Sequence, residues 1–303
     1  MGKILITGAT GNLGSRTLEL LLKKVPSNQV AVLVRNPESE KIKKFVQEGI
    51  EAHQGDYFDY DSLLRAFNGV EKVMLISAQA FTDRNTQHFN VIAAAKQAGV
   101  KQVVFTSIIR KENSNLIVPE VSMSDLFAEQ TLKASGLAYT ILRNPPYLEV
   151  MHSYFGDALK VGVRVPAGSG KVAAASLDDL AAANVAVLTQ NGHENKSYTL
   201  SGSEGSSFAD IAEALSEINE INIPYEAISE KEYIDTMVAN GLPVLMTDFL
   251  LGWVRGINTG EFSETSGDLE RLIGRKPMTY KEFFKIKSPF SKIEDLKAGM
   301  LLT

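Results

Sequence analysis

Gly8, Gly11 and Gly14 stand three residues apart, directly after Lys3-Ile4-Leu5-Ile6 and at the head of the stretch Asn12 to Leu22. The first segment reads as a buried strand and the second as an apolar-periodic helix. In that setting the first glycine permits a tight turn. The second lets a pyrophosphate approach the backbone, and the third lets the helix pack close to the strand. The first helical turn then presents free N–H groups and the positive end of its dipole to phosphate. Gly8, Thr10, Gly11, Asn12, Leu13 and Gly14 are therefore the expected phosphate cradle. Arg35 follows the next apolar run. An acidic residue there would bind the ribose hydroxyls of NAD, whereas a forked, permanently charged guanidinium suits a 2′-phosphate. NADPH is the expected cofactor, with NADH possible.

Other polar residues fall just past apolar runs, where open α/β sheets bind ligands. Asp56 and Tyr57 are placed to meet the adenine edge, and Ser77, Ala78 and Gln79 to lie near the pyrophosphate and nicotinamide ribose. Thr106 joins the cofactor set, and Ser107 either hydrogen-bonds a substrate carbonyl or the nicotinamide, or caps the next turn. Asn144 and Tyr147 flank the stiff pair Pro145-Pro146 and are candidates to hold a small ligand. His88 reads as a capping or packing residue, His53 and His193 as surface residues, and His152 as a less favoured pocket residue. Phe155, Phe249 and Trp253 can stack on an aromatic substrate, but core packing is the commoner fate of such residues. No His, Asp or Glu cluster has metal-ligand spacing, so no metal is expected.

These residues need a scaffold, and the chain spells one out. Expected strands over 3–6, 29–34, 51–54, 72–76, 102–106 and 138–142 alternate with expected helices over 12–22, 38–47, 61–67, 90–98 and 126–134. Alternation of this kind predicts a parallel sheet covered on both faces, a Rossmann-type doubly wound α/β fold. Residues 1–150 are expected to form it, also receiving 172–190. Residues 151–303 are expected to form a smaller mixed α/β lobe over the cofactor crevice, with strands at 196–200 and 223–228 and helices at 208–218, 230–239, 245–251 and 279–285. The end of the chain, 288–303, is either a docking arm or frayed.

Composition narrows the function classes. The chain has 303 residues, 44% hydrophobic and 22% charged, which is ordinary for a soluble globular protein. A net charge of -5 without a basic patch disfavours a nucleic-acid partner. The absence of cysteine removes disulfides, thiolate catalysis and cysteine-ligated zinc. No apolar run is long enough to span a bilayer, and a strand beginning at residue 3 leaves no room for a signal peptide. A cytoplasmic protein is expected, and a homodimer remains open.

The chain resembles the NmrA-like, atypical branch of the short-chain dehydrogenase/reductase superfamily. Within it the similarity is to NADPH-dependent quinone oxidoreductases and triphenylmethane-dye reductases. The residues that carry it are T-G-A-T-G-N-L-G at Thr7 to Gly14, V-R-N at Val34 to Asn36, G-D-Y at Gly55 to Tyr57 and Q-H-x-N-V-I-x-A-A-K at Gln87 to Lys96. They continue as T-S at Thr106-Ser107, S-G-L-x-Y-T-x-L-R-N at Ser135 to Asn144, D-D-L-A at Asp178 to Ala181, Y-x-L-S-G at Tyr198 to Gly202 and G-R-x-P at Gly274 to Pro277. The resemblance runs from Ile4 to about Phe284 and implies direct hydride transfer from NADPH to a quinone, without flavin. The wider superfamily uses Y-x-x-x-K as general acid and pKa-lowering neighbour. Counted back from Glu129, those positions are Val121 and Asp125, so the pair is missing. Its absence argues against reduction of ordinary carbonyls and against sugar-nucleotide epimerisation. A quinone is different, because hydride addition yields a stabilised hydroquinone anion that water can protonate, so the chemistry mainly needs the nicotinamide held in register. The similar quinone reductases also lack the pair, many with a His where this chain has Asp125. The second class implied is a cofactor sensor of NmrA-like type that binds NADP, contacts a protein partner and turns nothing over.

Overall fold

The structure, a computed structural model, describes residues 2–287. The end segment 288–303 lies outside the described residues. The first half runs β1 (Lys3–Thr7), α1 (Asn12–Leu22), β2 (Val30–Val34), α2 (Glu40–Gln47), β3 (Glu51–Gln54), α3 (Tyr60–Phe67), β4 (Val70–Leu75), α4 (Arg84–Gln97), β5 (Gln102–Ile108), α5 (Ser122–Ala134) and β6 (Ala138–Asn144). The second half runs α6 (Ala158–Val161), β7 (Val163–Val165), β8 (Lys171–Val172), α7 (Leu177–Thr189), β9 (Lys196–Thr199), β10 (Ser206–Ser207), α8 (Phe208–Asn219), β11 (Tyr225–Ala227), α9 (Glu230–Ala239), α10 (Val244–Asn258), α11 (Asp268–Ile273) and α12 (Tyr280–Lys287).

Seven strands form one sheet in the order β3-β2-β1-β4-β5-β6-β9, every neighbouring pair parallel. The order reverses between β1 and β4, which opens a crevice beyond their carboxyl ends. The two-residue alternation of β1 sends Ile4 and Ile6 to the face covered by α1, α2 and α7, and Leu5 to the face covered by α3, α4 and α5. Both faces are apolar, as the all-hydrophobic β2 requires. This is the doubly wound Rossmann-type fold, with a smaller mixed α/β part after β6. The smaller part has its own core, including Val163, Phe208, Leu215, Tyr233, Leu251 and Phe262. Phe155 is buried in it against Phe208, and Phe249 and Trp253 pack against it. No helix among the described residues is long and apolar enough to cross a membrane.

Three departures from the sequence expectations have physical causes. Residues 196–200, expected in the smaller lobe, supply β9, which pairs with β6 at the sheet edge. That pairing brings Tyr198 beside His193, whose Nδ1 lies 2.8 Å from the phenol oxygen, so His193 is buried rather than on the surface. Next, α11 is six residues long between Gly267 and Gly274, both left-handed, and is too short to show periodicity. Finally, α4 and α5 begin six and four residues earlier than their apolar periodicity, at Arg84 and Ser122. Their first turns are polar, and Asp83 caps α4 by accepting the Thr86 N–H at 3.1 Å.

Candidate cofactor and active site

The glycine turn closes with a hydrogen bond from Gly11 N to Gly8 O at 3.0 Å. Gly8 has φ +63°, a left-handed conformation that favours glycine. At Gly14 the constraint is contact instead. A Cβ there would lie 2.1 Å from the carbonyl oxygen of Gly8, so only glycine lets α1 sit this close to the turn. The first helical bond of α1 is Ser15 N to Gly11 O, which leaves the amides of Asn12, Leu13 and Gly14 without a helical acceptor. No side chain caps α1 and no acidic residue occupies its first turn. Such an arrangement is able to receive phosphate, with the helix dipole behind it. Lys41 of α2 adds positive charge by donating from Nζ to Thr10 O at 3.3 Å, a contribution across elements that spacing did not reveal. Arg35, just past β2, is exposed and forms no ion pair among the described residues, which leaves its guanidinium available to a phosphate.

The switch point itself is tied shut by a small network. The Thr7 hydroxyl donates to Met74 O at 2.9 Å and accepts from Ile76 N at 3.2 Å. The Tyr57 phenol donates to Ile76 O at 2.9 Å and also meets the Thr7 hydroxyl. Burial pushes this phenol well above its ordinary range. Its oxygen is therefore committed to joining β1 and β4. Asp56 holds its own turn by accepting Phe58 N–H at 2.9 Å.

Beyond β4, Ser77 N donates to the Thr106 hydroxyl at 2.9 Å and Ala78 N donates to His88 Nε2 at 2.9 Å. These two bonds pin the Ser77–Gln79 segment to β5 and α4. Because Nε2 accepts, the ring proton is on Nδ1, which is buried without a partner among the described residues. His88 is thus a packing and positioning residue, set edge-on to Phe105. Burial, and then the nearby Arg84, lowers its pKa to about 3. An unfolded histidine titrates near 6.5, so the stability this group confers is complete above that pH and is lost as pH falls toward 3. Wild type should lose roughly 2–3 kcal/mol more than His88→Gln between pH 7 and about pH 4.5. Denaturant unfolding at the two pH values reads this directly, and equal losses would discard it.

Three groups gather at the ends of β5 and β6. The buried Ser107 hydroxyl donates to Glu129 Oε1 at 2.8 Å, and Arg143 clamps the same carboxylate through Nε at 2.9 Å and Nη2 at 2.6 Å. Burial alone would raise the Glu129 pKa, but Arg143, Ser107 and Lys133 together hold it below the usual range. Asn144 donates from Nδ2 to the Tyr147 phenol at 3.4 Å, while its Oδ1 is buried with no partner among the described residues. The third group is an ion pair between Arg84 and Asp125, joining the first turns of α4 and α5, with both side chains almost fully buried. Its field reaches Tyr147, whose phenol is raised mainly by burial. A cavity of about 330 Å³ opens here, lined by Ser107, Asp125, Glu129 and Arg143 among others.

Thus Gly8 to Gly14, with Arg35 nearby in chain order past β2, line the carboxyl ends of β1 and β2. Ser77, Ala78, Thr106, Ser107, Asn144 and Tyr147 lie past or at the ends of β4, β5 and β6. Ser107 is already engaged by Glu129. His152 sits half-buried on the 3-10 turn Leu148–Tyr154. Sequence reasoning missed Arg84, which pairs with Asp125, and the clamp of Arg143 on Glu129. The available signal was a charged residue interrupting an apolar face, as Glu129 does between Ala128 and Leu132.

Comparison with known proteins gives the family. Residues 1–284 match the NmrA-like family. The chain is 37% identical over 280 residues to quinone oxidoreductase 2 of Escherichia coli (strain K12), covering 92% of this chain and 96% of that one. The structure of an Escherichia coli NADPH-dependent quinone oxidoreductase complexed with NADPH superimposes with a TM-score of 0.87 at 36% identity, covering 92% and 98%. The Citrobacter sp. triphenylmethane reductase complexed with NADP(H) gives a TM-score of 0.85 at 34% identity, covering 94% and 99%. By its motifs, its fold and these matches, the chain belongs to the NmrA-like family.

Proposed function

We propose that this protein binds NADPH along the turn before α1 and transfers hydride directly to a quinone or similar aromatic acceptor, without flavin or metal. It is an NADPH-dependent oxidoreductase. The observation that carries this is the uncapped N-terminus of α1, held against the Gly8 turn, with Arg35 past the neighbouring strand in no ion pair among the described residues. Such a cradle takes the pyrophosphate, and Arg35 with Lys41 takes the 2′-phosphate. Bound there, the dinucleotide supplies a hydride donor at its nicotinamide. The chain's own part is to hold and orient: the Ser77–Gln79 segment, fixed by Thr106 and His88, backs the nicotinamide side, and Asn144 and Tyr147 orient the acceptor. The quinone class is supported by the relatives, and also by Val121 and Asp125 standing where a Tyr–Lys pair would serve ordinary carbonyls. The test is NADPH oxidation by purified protein, followed by near-ultraviolet absorbance with and without a simple quinone. Rapid quinone-dependent oxidation is expected. Tight NADPH binding with no turnover on any of a panel of quinones and dyes would overturn the proposal in favour of a cofactor sensor.

A further inference from the structure

We propose that Asp125, held by Arg84 in the wall of the cavity beside Ser107, is the catalytic acid that protonates the reduced acceptor. The proposal rests on the quinone reading above and names the source of the proton that reading requires. Hydride addition to a quinone places two electrons and one hydrogen on the acceptor and leaves a negatively charged oxygen. One proton completes the hydroquinone. In the proposed step the Asp125 O–H bond breaks, an O–H bond forms on the acceptor, and the carboxylate left behind stays paired with the Arg84 guanidinium. Solvent entering the cavity returns the proton.

The geometry singles out this carboxyl. Asp125 sits in the first turn of α5, is 3% exposed, and lines the cavity of about 330 Å³ together with Ser107, at the end of β5. Arg84 engages the carboxyl at Oδ1 through Nη2. The other acid–base groups around the crevice are occupied or mistuned. Glu129, one turn further along α5, accepts from Ser107 and Arg143 and is held ionised. His88, one turn along α4 from Arg84, spends Nε2 on Ala78 and stays neutral. The Tyr147 phenol is raised by burial, which makes it a good hydrogen-bond donor and a reluctant proton donor near neutrality. Of the ionic groups in the segment after β5, Arg110 and Glu112 are exposed and Lys111 pairs with Glu264. Among these groups Asp125 is the one poised for the task. Burial pushes it up to about 6, the Arg84 charge opposes that rise, and Glu129 adds to it. General acids work best when their pKa lies near the working pH.

The test compares two acceptors on the same protein. A cationic triphenylmethane dye takes hydride at carbon and becomes a neutral product with no proton required. A quinone needs one. For wild type, the ratio of quinone to dye turnover should fall as pH rises from about 6 to 8, approaching tenfold per pH unit. Asp125→Asn should lower that ratio on the order of 100-fold at about pH 6 and abolish its pH dependence, and Asp125→Glu should restore both in part. Because the ratio cancels losses in folding and NADPH binding, it stays informative in a weakened variant. The wild-type profile needs no variant at all. A second readout uses no cofactor: the infrared C=O band of a protonated buried carboxyl should be present near pH 5.5, fade through about pH 6 and be missing from Asp125→Asn. A ratio that ignores both pH and the substitution, or an absent band, would overturn the assignment. No turnover of either acceptor by wild type would instead sink the reductase reading.

Discussion

Gly14→Ala should abolish measurable NADPH binding and destabilise the protein by about 3 kcal/mol. The added methyl would stand 2.1 Å from Gly8 O. Its neighbour is backbone, so no rotamer change relieves the clash, and α1 must move off the turn that aims its amides. Displacing a phosphate site by a fraction of an ångström forfeits its charge-assisted hydrogen bonds. Gly11→Val makes the contrast. Gly11 has φ -79° and ψ 173°, angles open to any residue, so this variant should keep wild-type unfolding while losing affinity on the order of 100-fold through a blocked approach. Thermal unfolding and a fluorescence titration of NADPH measure both quantities. Full binding by either variant would remove the turn from its central role.

Arg35→Asp should reverse the dinucleotide preference. A charge-assisted contact to phosphate contributes about 1.5–3 kcal/mol, and a carboxylate in its place repels the same phosphate. The NADPH-to-NADH affinity ratio should therefore fall by on the order of 100-fold or more, while the new carboxylate accepts from the ribose hydroxyls of NADH. Arg35 is exposed, so raising the salt concentration should shrink the wild-type preference. Parallel titrations with the two dinucleotides decide this. An unchanged ratio would transfer the 2′-phosphate role to Lys41, whose Nζ already reaches Thr10 O.

The parts of this protein legible in its sequence are those encoded by neighbours along the chain. Lys3 to Thr7, the glycine spacing and the helix from Asn12 form a local sentence, and the structure reproduces it. Thr106 and Ser107 could be placed at a strand end for the same reason, although the strand itself runs on to Ile108. What stayed hidden depends on how distant elements cross. Arg84 meets Asp125 only because α4 and α5 lie side by side on one face of the sheet, and both residues fall in polar first turns that carry no apolar period. The Glu129–Arg143 clamp likewise needs α5 laid over β6. The burial of His193 likewise depends on β9 pairing with β6, which nothing near it in the chain encodes.

The placement of β9 bears on how the chain comes to be folded. The first six strands of the chain fill the sheet from β3 to β6, and the edge beyond β6 then waits for residues 196–199, which arrive after the whole of α6, β7, β8 and α7. During synthesis the emerging N-terminal half carries an open β6 edge, with unpaired backbone groups able to recruit a strand from another molecule. The intervening residues divide between the two cores, with α7 on the main sheet and residues 148–174 in the smaller core, so closing that edge is a long-range event that local helix formation does not hasten. The nascent chain is therefore most prone to mispairing between the emergence of Asn144 and that of Thr199, and it is over this interval that a chaperone would have most to protect.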